Sequence, residues 1–234
     1  MNRILAALDV DSRARALDLA SRLRGAVGGF KIGKQLFTAE GPAIVRELVE
    51  CGDRVFLDLK FHDIPNTVGG AVRAAANTGA WMVNVHASGG RAMMRAAATA
   101  AMHAAESASV RTLVIGVTVL TSVDQAVLGE IGVGGPLLDH AVRLARLAQS
   151  SGLDGVVASA YEVRAIRQAC GDQFLTVVPG IRPRLSGQDD QARTMTPAQA
   201  IEAGASYLVI GRPITAAADP RAAAEAIGAE LVTA

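Results

Sequence analysis

The chain has 234 residues, half of them hydrophobic but only 3% aromatic, and its 23 Lys and Arg nearly balance 22 Asp and Glu. So even a balance gives no global field to draw a polyanion, and so few rings leave little for bases to stack on. Nucleic acid and membrane surfaces are therefore disfavoured as partners. Length and apolar content suit one domain over 1–234 with a sizeable core.

The opening "MNRILAALDV" has one basic residue and a short apolar run closed by Asp9, without the longer apolar stretch and cleavage site of a signal peptide. Nowhere do about 18 uncharged apolar residues follow one another, so a soluble cytoplasmic protein is expected. Cys51 and Cys170 stand far apart with no CxxC spacing, which predicts reduced core or helix-end thiols rather than a disulfide framework or a zinc site.

In chain order, eight short apolar runs read as strands: "ILAALDV", "GFKIG", "VFLDLK", "WMVNVHA", "TLVIGVTVL", "GVVAS", "FLTVVPG" and "YLVIG". Between them lie helical spacings, among them "SRARALDLASRLRGAV", "GPAIVRELVECG", "IPNTVGGAVRAAANTG", "GGRAMMRAAATAAMHAAES" and "PLLDHAVRLARLAQSSG". Near-continuous apolar strands alternating with helices predict a parallel sheet under helices. Eight such units favour an α/β fold of the (β/α)8 barrel type, with a doubly wound sheet as the alternative. No Gly-rich dinucleotide fingerprint follows the first strand. "TSVDQAVLGEIGVGG" and "IRPRLSGQDDQARTMT", after the fifth and seventh strands, read as long irregular loops and candidate lids.

In such a barrel the reactive face is the C-terminal end of the strands, so the polar residues closing the runs are the ones to weigh: Asp9, Lys31, Asp58, Lys60, Asp63, Asn84, His86, Thr121, Arg182 and Arg212. Asp58 and Lys60 are two apart on one strand, which aims both at the barrel mouth and sends Leu57 and Leu59 to the helix layer. The bland reading is a buried ion pair, although such pairs give little net stability against an apolar replacement. Asp63, just beyond the strand, can reach the same site or a neighbouring subunit.

Arg182 and Arg212 close the seventh and eighth strands, where this fold often binds phosphate. As isolated motifs they also suit solvated surface charges. Asp9 and Lys31 suit sugar hydroxyls or a rim ion pair. His86 suits a general base or a structural histidine. His62, His103 and His140 have no metal-ligand spacing with it, so no metal is expected.

The motifs "ALDV", "FKIGKQLF", "FLDLKFHDIPNTV", "VNVHASGG", "VTVLTS", "SGLDGVVAS", "PGIR", "DDQAR" and "VIGRPIT" together make the chain resemble bacterial-type orotidine 5'-phosphate decarboxylases over essentially its whole length. "DLKFHDIPNT" is the most specific of them, joining a D-x-K-x-x-D core common to a wider superfamily to a tail typical of these decarboxylases. The resemblance implies cofactor-free decarboxylation of orotidine 5'-phosphate to UMP, the last step of UMP synthesis.

It also implies roles residue by residue. Asp9 and Lys31 contact the ribose, and Lys31, Asp58, Lys60 and Asp63 form an alternating charge network. Lys60 protonates C6, with Asp58 pressing on the substrate carboxylate. Thr121 and Ser122 meet the pyrimidine, while Arg182, Gln191, Gly211 and Arg212 serve the phosphate and 182–194 closes over the ligand. Asp63 and Thr67 reach into the other subunit's site, which implies a homodimer. Two other readings share parts of the pattern: a Mg2+-dependent sugar-phosphate decarboxylase or aldolase of the same superfamily, and a non-catalytic nucleotide-binding module.

Overall fold

The computed structural model describes residues 2–106, 111–182 and 195–231. Eight parallel strands pair in sequence order: β1 (Ile4–Ala7), β2 (Gly29–Gly33), β3 (Val55–Phe61), β4 (Met82–His86), β5 (Leu113–Val117), β6 (Gly155–Val157), β7 (Leu175–Val178) and β8 (Tyr207–Ile210). β8 returns to β1 with Leu5 opposite Val209, so the sheet closes into a (β/α)8 barrel and the doubly wound alternative is excluded.

Alternation sorts the strand residues. Phe30, Ile32 and Leu57 join the large core beneath the helices, whereas Leu5, Phe56, Met82, Ile115 and Val177 form a separate cluster that fills the barrel as an apolar plug.

Eleven helices surround the barrel among the described residues: α1 (Arg13–Leu23), α2 (Lys34–Glu40), α3 (Ala43–Glu50), α4 (Pro65–Ala76), α5 (Gly90–Ala105), α6 (Gln125–Glu130), α7 (Leu137–Ser150), α8 (Val163–Cys170), α9 (Pro197–Glu202), α10 (Arg212–Thr215) and α11 (Pro220–Glu230). The seams of α5 and α7 are rich in buried alanine, with Ala97, Ala101, Ala141, Ala145 and Ala148, so these helices lie close to the sheet. Cys51 caps α3 and Cys170 ends α8, and both are free thiols at helix ends.

One expected loop turns out differently, and the other falls mostly outside the described residues. Residues 121–135 are not irregular throughout, because Asp124 accepts from the Val127 N–H at 2.9 Å and starts α6, which buries Leu128. Of 181–196, residues 183–194 lie outside the described residues. The flanks are tied: Ile181 bridges Met195, the Arg182 N–H donates to Met195 O at 3.1 Å, and Thr196 and Gln199 form a capping box at α9.

At the opposite end of the barrel from the polar rim, Arg167 of α8 binds the starts of β7 and β8 together. Its Nε donates to Gly204 O at 2.7 Å, Nη1 to Asp172 O at 2.9 Å and Phe174 O at 2.6 Å, and Nη2 to Thr176 Oγ1 at 3.0 Å and Ser206 Oγ at 2.7 Å. Burial holds its pKa below the ordinary arginine value. Arg167→Met would strand several of these acceptors, so urea unfolding should reveal a loss of about 2 kcal/mol or more.

Candidate active site

At the C-terminal mouth, four charges alternate in direct succession. Lys31 Nζ lies 2.7 Å from Asp9 Oδ1 and 3.8 Å from Asp58 Oδ2, and Lys60 Nζ lies 2.6 Å from Asp58 Oδ1. The run is Asp9, Lys31, Asp58, Lys60, and it spans β1, β2 and β3. Gly33 makes room for it, since a Cβ there would come within 3.0 Å of Asp9 Oδ1 and 3.1 Å of Lys31 Nζ.

Exposure is graded along the run. The Lys31 and Asp58 side chains keep 10% and 13% of their surface, Lys60 keeps 25%, and Asp9 keeps 54%. Lys31 and Asp58 form the more enclosed pair, and Lys60 is the more open to solvent.

Asp58 is the hub. Burial pushes its carboxyl upward, but the Lys60 and Lys31 charges and hydrogen bonds from Lys60 and Asn84 outweigh that and hold it below the usual carboxylate value. The carboxylate therefore stays ionised and keeps two cations beside it.

The backbone under Lys60 departs from the regular strand that alternation implies. Pairing between β3 and β4 shifts between Leu57 and Phe61, and Lys60 has φ 54°, the one non-glycine positive φ among the described residues. Both side chains still face the mouth, and Leu57 and Leu59 still pack against the helix-side core. They get there through a bulge rather than a flat ladder.

Asn84 is the residue to which sequence reasoning gave no role. It is fully buried on β4, and its Nδ2 donates to Asp58 Oδ1 at 2.7 Å while its Oδ1 accepts the Lys60 N–H at 2.8 Å. The available signal was an amide two positions before His86 in an otherwise apolar run.

His86 closes β4 and is half-buried. Its ring packs against His62 at 5.3 Å between centroids, a pairing that sequence spacing concealed. Burial first, then the charges of His62, Lys60 and Lys34, lower its pKa to about 4, against the opposing pull of Asp58.

The other expected residues distribute around this centre. Gly211 precedes the four-residue α10, and a Cβ there would lie 3.9 Å from Asp9 Oδ2, so the end of β8 abuts the array. Arg212 begins α10 and is exposed, and Arg182 is half-buried just beyond β7. Thr121 and Ser122 form the turn after β5. Asp63 and Thr67 are exposed at the start of α4, and the Asp63 carboxylate accepts the Ile64 N–H at 2.6 Å rather than pairing with a described cation of its own chain. Gln191 lies outside the described residues. Among the described residues no group of three or more His, Cys, Asp or Glu is placed to hold a metal ion, and no helix is long and apolar enough to cross a membrane.

Barrel and array together define a class: a (β/α)8 enzyme whose mouth carries fixed ammonium groups held by carboxylates. Comparison with known proteins narrows it. Residues 2–227 match the family described as Orotidine 5'-phosphate decarboxylase / HUMPS family. The orotidine 5'-phosphate decarboxylase of Moorella thermoacetica is 54% identical over 98% of this chain and 92% of its own length, and that of Halorhodospira halophila 55% over 99% and 97%. The crystal structure of orotidine 5'-phosphate decarboxylase from Lactobacillus acidophilus superposes with a TM-score of 0.88 at 37% identity, covering 99% of both chains. The chain belongs to the orotidine 5'-phosphate decarboxylase / HUMPS family.

His86 yields a pH prediction. A base whose folded pKa is depressed stabilises the fold fully above its unfolded value near 6.5, and that contribution is lost as pH falls towards about 4. The His86 ring should titrate near pH 4 by NMR. Unfolding free energy should rise with pH across that window, with a shallower slope in His86→Gln.

Proposed function

We propose that the protein converts orotidine 5'-phosphate to UMP and CO2 in pyrimidine biosynthesis, without a cofactor and in the cytoplasm. The observation that carries this reading is the contiguous Asp9, Lys31, Asp58, Lys60 array at the barrel mouth. Its membership of the family supplies the substrate.

In the proposed step the bond from C6 to the carboxyl carbon breaks, CO2 departs, and the electron pair stays on C6. The Lys60 ammonium stabilises that pair and transfers a proton to it, forming the C6–H bond of UMP and leaving a neutral amine that solvent reprotonates. Asp58, held ionised, orients the Lys60 ammonium through their 2.6 Å contact and sets a negative charge against the substrate carboxylate. Because Asp58 is also pinned by Lys31 and Asn84, it cannot turn away from that carboxylate without giving up two partners.

Binding energy comes from the rim. Asp9 and Lys31 take the ribose hydroxyls, Thr121 and Ser122 the pyrimidine edge, and Arg182, Gln191, Gly211 and Arg212 the phosphate. Holding a remote dianion lets contacts far from C6 fix the ring against Lys60.

A homodimer with shared sites completes the proposal. Asp63 and Thr67 are exposed beside Ile64, itself 66% exposed, as they would be if a second copy covered them. There they would extend the alternating array of the partner by one more carboxylate.

Loss of orotidine 5'-phosphate followed by ultraviolet absorbance tests the reaction. Turnover should persist in EDTA, and a loss restored by Mg2+ would favour a metal-dependent relative of the family. Lys60→Ala should abolish turnover in a folded protein, and substantial remaining decarboxylation would remove Lys60 as proton donor. Arg212→Ala should lower kcat/KM by several orders of magnitude.

Shared sites have a separate readout. Asp63→Ala and Lys60→Ala are each expected to be inactive alone, yet after unfolding and refolding together half the dimers would be hybrids with one intact site, giving roughly one quarter of normal activity. No recovery would mean that each chain builds its own site.

A further inference from the structure

The bulge in β3 creates a problem that the rest of the strand does not have. Leu57 pairs with Val83 and Phe61 with Val85, so four residue steps on β3 span only two on β4, and the backbone between them leaves the ladder. Lys60 sits in that gap with φ 54°, a region that side-chain-bearing residues occupy only when their surroundings hold them there.

Asn84 stands between Val83 and Val85, facing the gap, with no exposed surface. Its carbonyl oxygen takes the Lys60 N–H that has left the ladder, at 2.8 Å, and its amide nitrogen reaches Asp58 Oδ1 at 2.7 Å. That same oxygen accepts the Lys60 ammonium at 2.6 Å. The contacts close a ring that runs from the Lys60 backbone through Asn84 to Asp58 and back to the Lys60 side chain.

One amide serves both ends because the two partners need opposite chemistry. A backbone N–H requires an acceptor, and an ionised carboxylate requires a donor. Aspartate lacks the donor, leucine lacks both, and the orientation of the Asn84 amide follows from its neighbours. The charged or titratable groups around it are Asp58 and Lys60 on β3, Lys31 on β2 and His86 on β4, with Asp9 reached through Lys31.

We propose that Asn84 is a positioning residue that holds Lys60 in its left-handed backbone conformation and Asp58 in its acceptor orientation, so that the ammonium is presented to the reacting carbon. The inference rests on the decarboxylase reading for its catalytic consequence and on geometry alone for the clamp itself.

Two variants and two measurements test it. In Asn84→Leu, kcat should fall about 100-fold or more while KM changes less than about fivefold, because ground-state contacts at the rim are untouched. Exchange of the Lys60 amide proton should be slow in the unaltered protein and should accelerate in the variant by a similar factor relative to the amides of Leu5 and Val83. In Asn84→Asp the introduced carboxyl can donate to Asp58 only while protonated, so kcat relative to the unaltered enzyme should be highest at acid pH and decline as pH rises. If Asn84→Leu does not fold, Asn84→Asp decides through that profile.

An unchanged kcat with a raised KM, unchanged Lys60 exchange, or a pH profile parallel to that of the unaltered enzyme would each overturn the proposal. Failure of the unaltered protein to consume orotidine 5'-phosphate would instead remove the decarboxylase reading, and the exchange measurement would still decide the clamp.

Discussion

Placing two lysines and an aspartate above an apolar plug is possible only because each charge has an opposite neighbour within 4 Å. Little water reaches the interior pair, whose side chains keep 10% and 13% of their surface, so much of the neutrality has to be built from side chains. Removing one partner of such a buried set leaves an uncompensated charge, at a cost of about 3–5 kcal/mol. The alternation therefore acts as a constraint on the whole mouth. It favours a residue without a Cβ at position 33, and it holds Asp58 ionised.

The barrel supplies that constraint with a rigid frame. Leu5, Phe56, Met82, Ile115 and Val177 fill the floor, and on two of these strands the charged residues follow directly, Asp9 four positions after Leu5 and Asp58 and Lys60 two and four positions after Phe56. Register errors are strongly opposed, because a slip of one residue would send Lys31 or Asp58 into the helix layer. Arg167 fastens β7 to β8 at the far end, away from the chemistry. Stability and reactivity thus occupy opposite faces, as this architecture generally arranges them.

Much of this was legible in the sequence, and for identifiable reasons. All eight strands lie in runs of apolar residues long enough to read, and Asp9, Lys31, Asp58 and Lys60 stood out as polar residues closing such runs. α2 and α6 were missed because six or seven residues carry less than two turns of periodicity. The bulge was missed because strict alternation assumes a flat ladder, and with it went the reason for an amide at position 84. The approach of His62 to His86 depends on how the loop after β3 folds back over β4, which no local pattern records. The part assigned to Thr67 came from family resemblance alone, and for Asp63 strand position left its own site and a neighbouring subunit both open, since in a single chain both residues face solvent.

The seam between β1 and β8 has a consequence for how the protein comes into being. Leu5 and Val209 are neighbours in space but about two hundred residues apart along the chain, and Asp9 meets Gly211 across the same seam. During synthesis the first strand leaves the ribosome long before its partner exists, so it waits with an open edge that only the last strand can cover. The charges of β1 to β3 can gather early, but the barrel cannot close around them until translation is nearly finished. A chain interrupted before β8 would carry most of the reactive groups and still lack an enclosed site, so the order of synthesis itself keeps partly made protein from being an active enzyme.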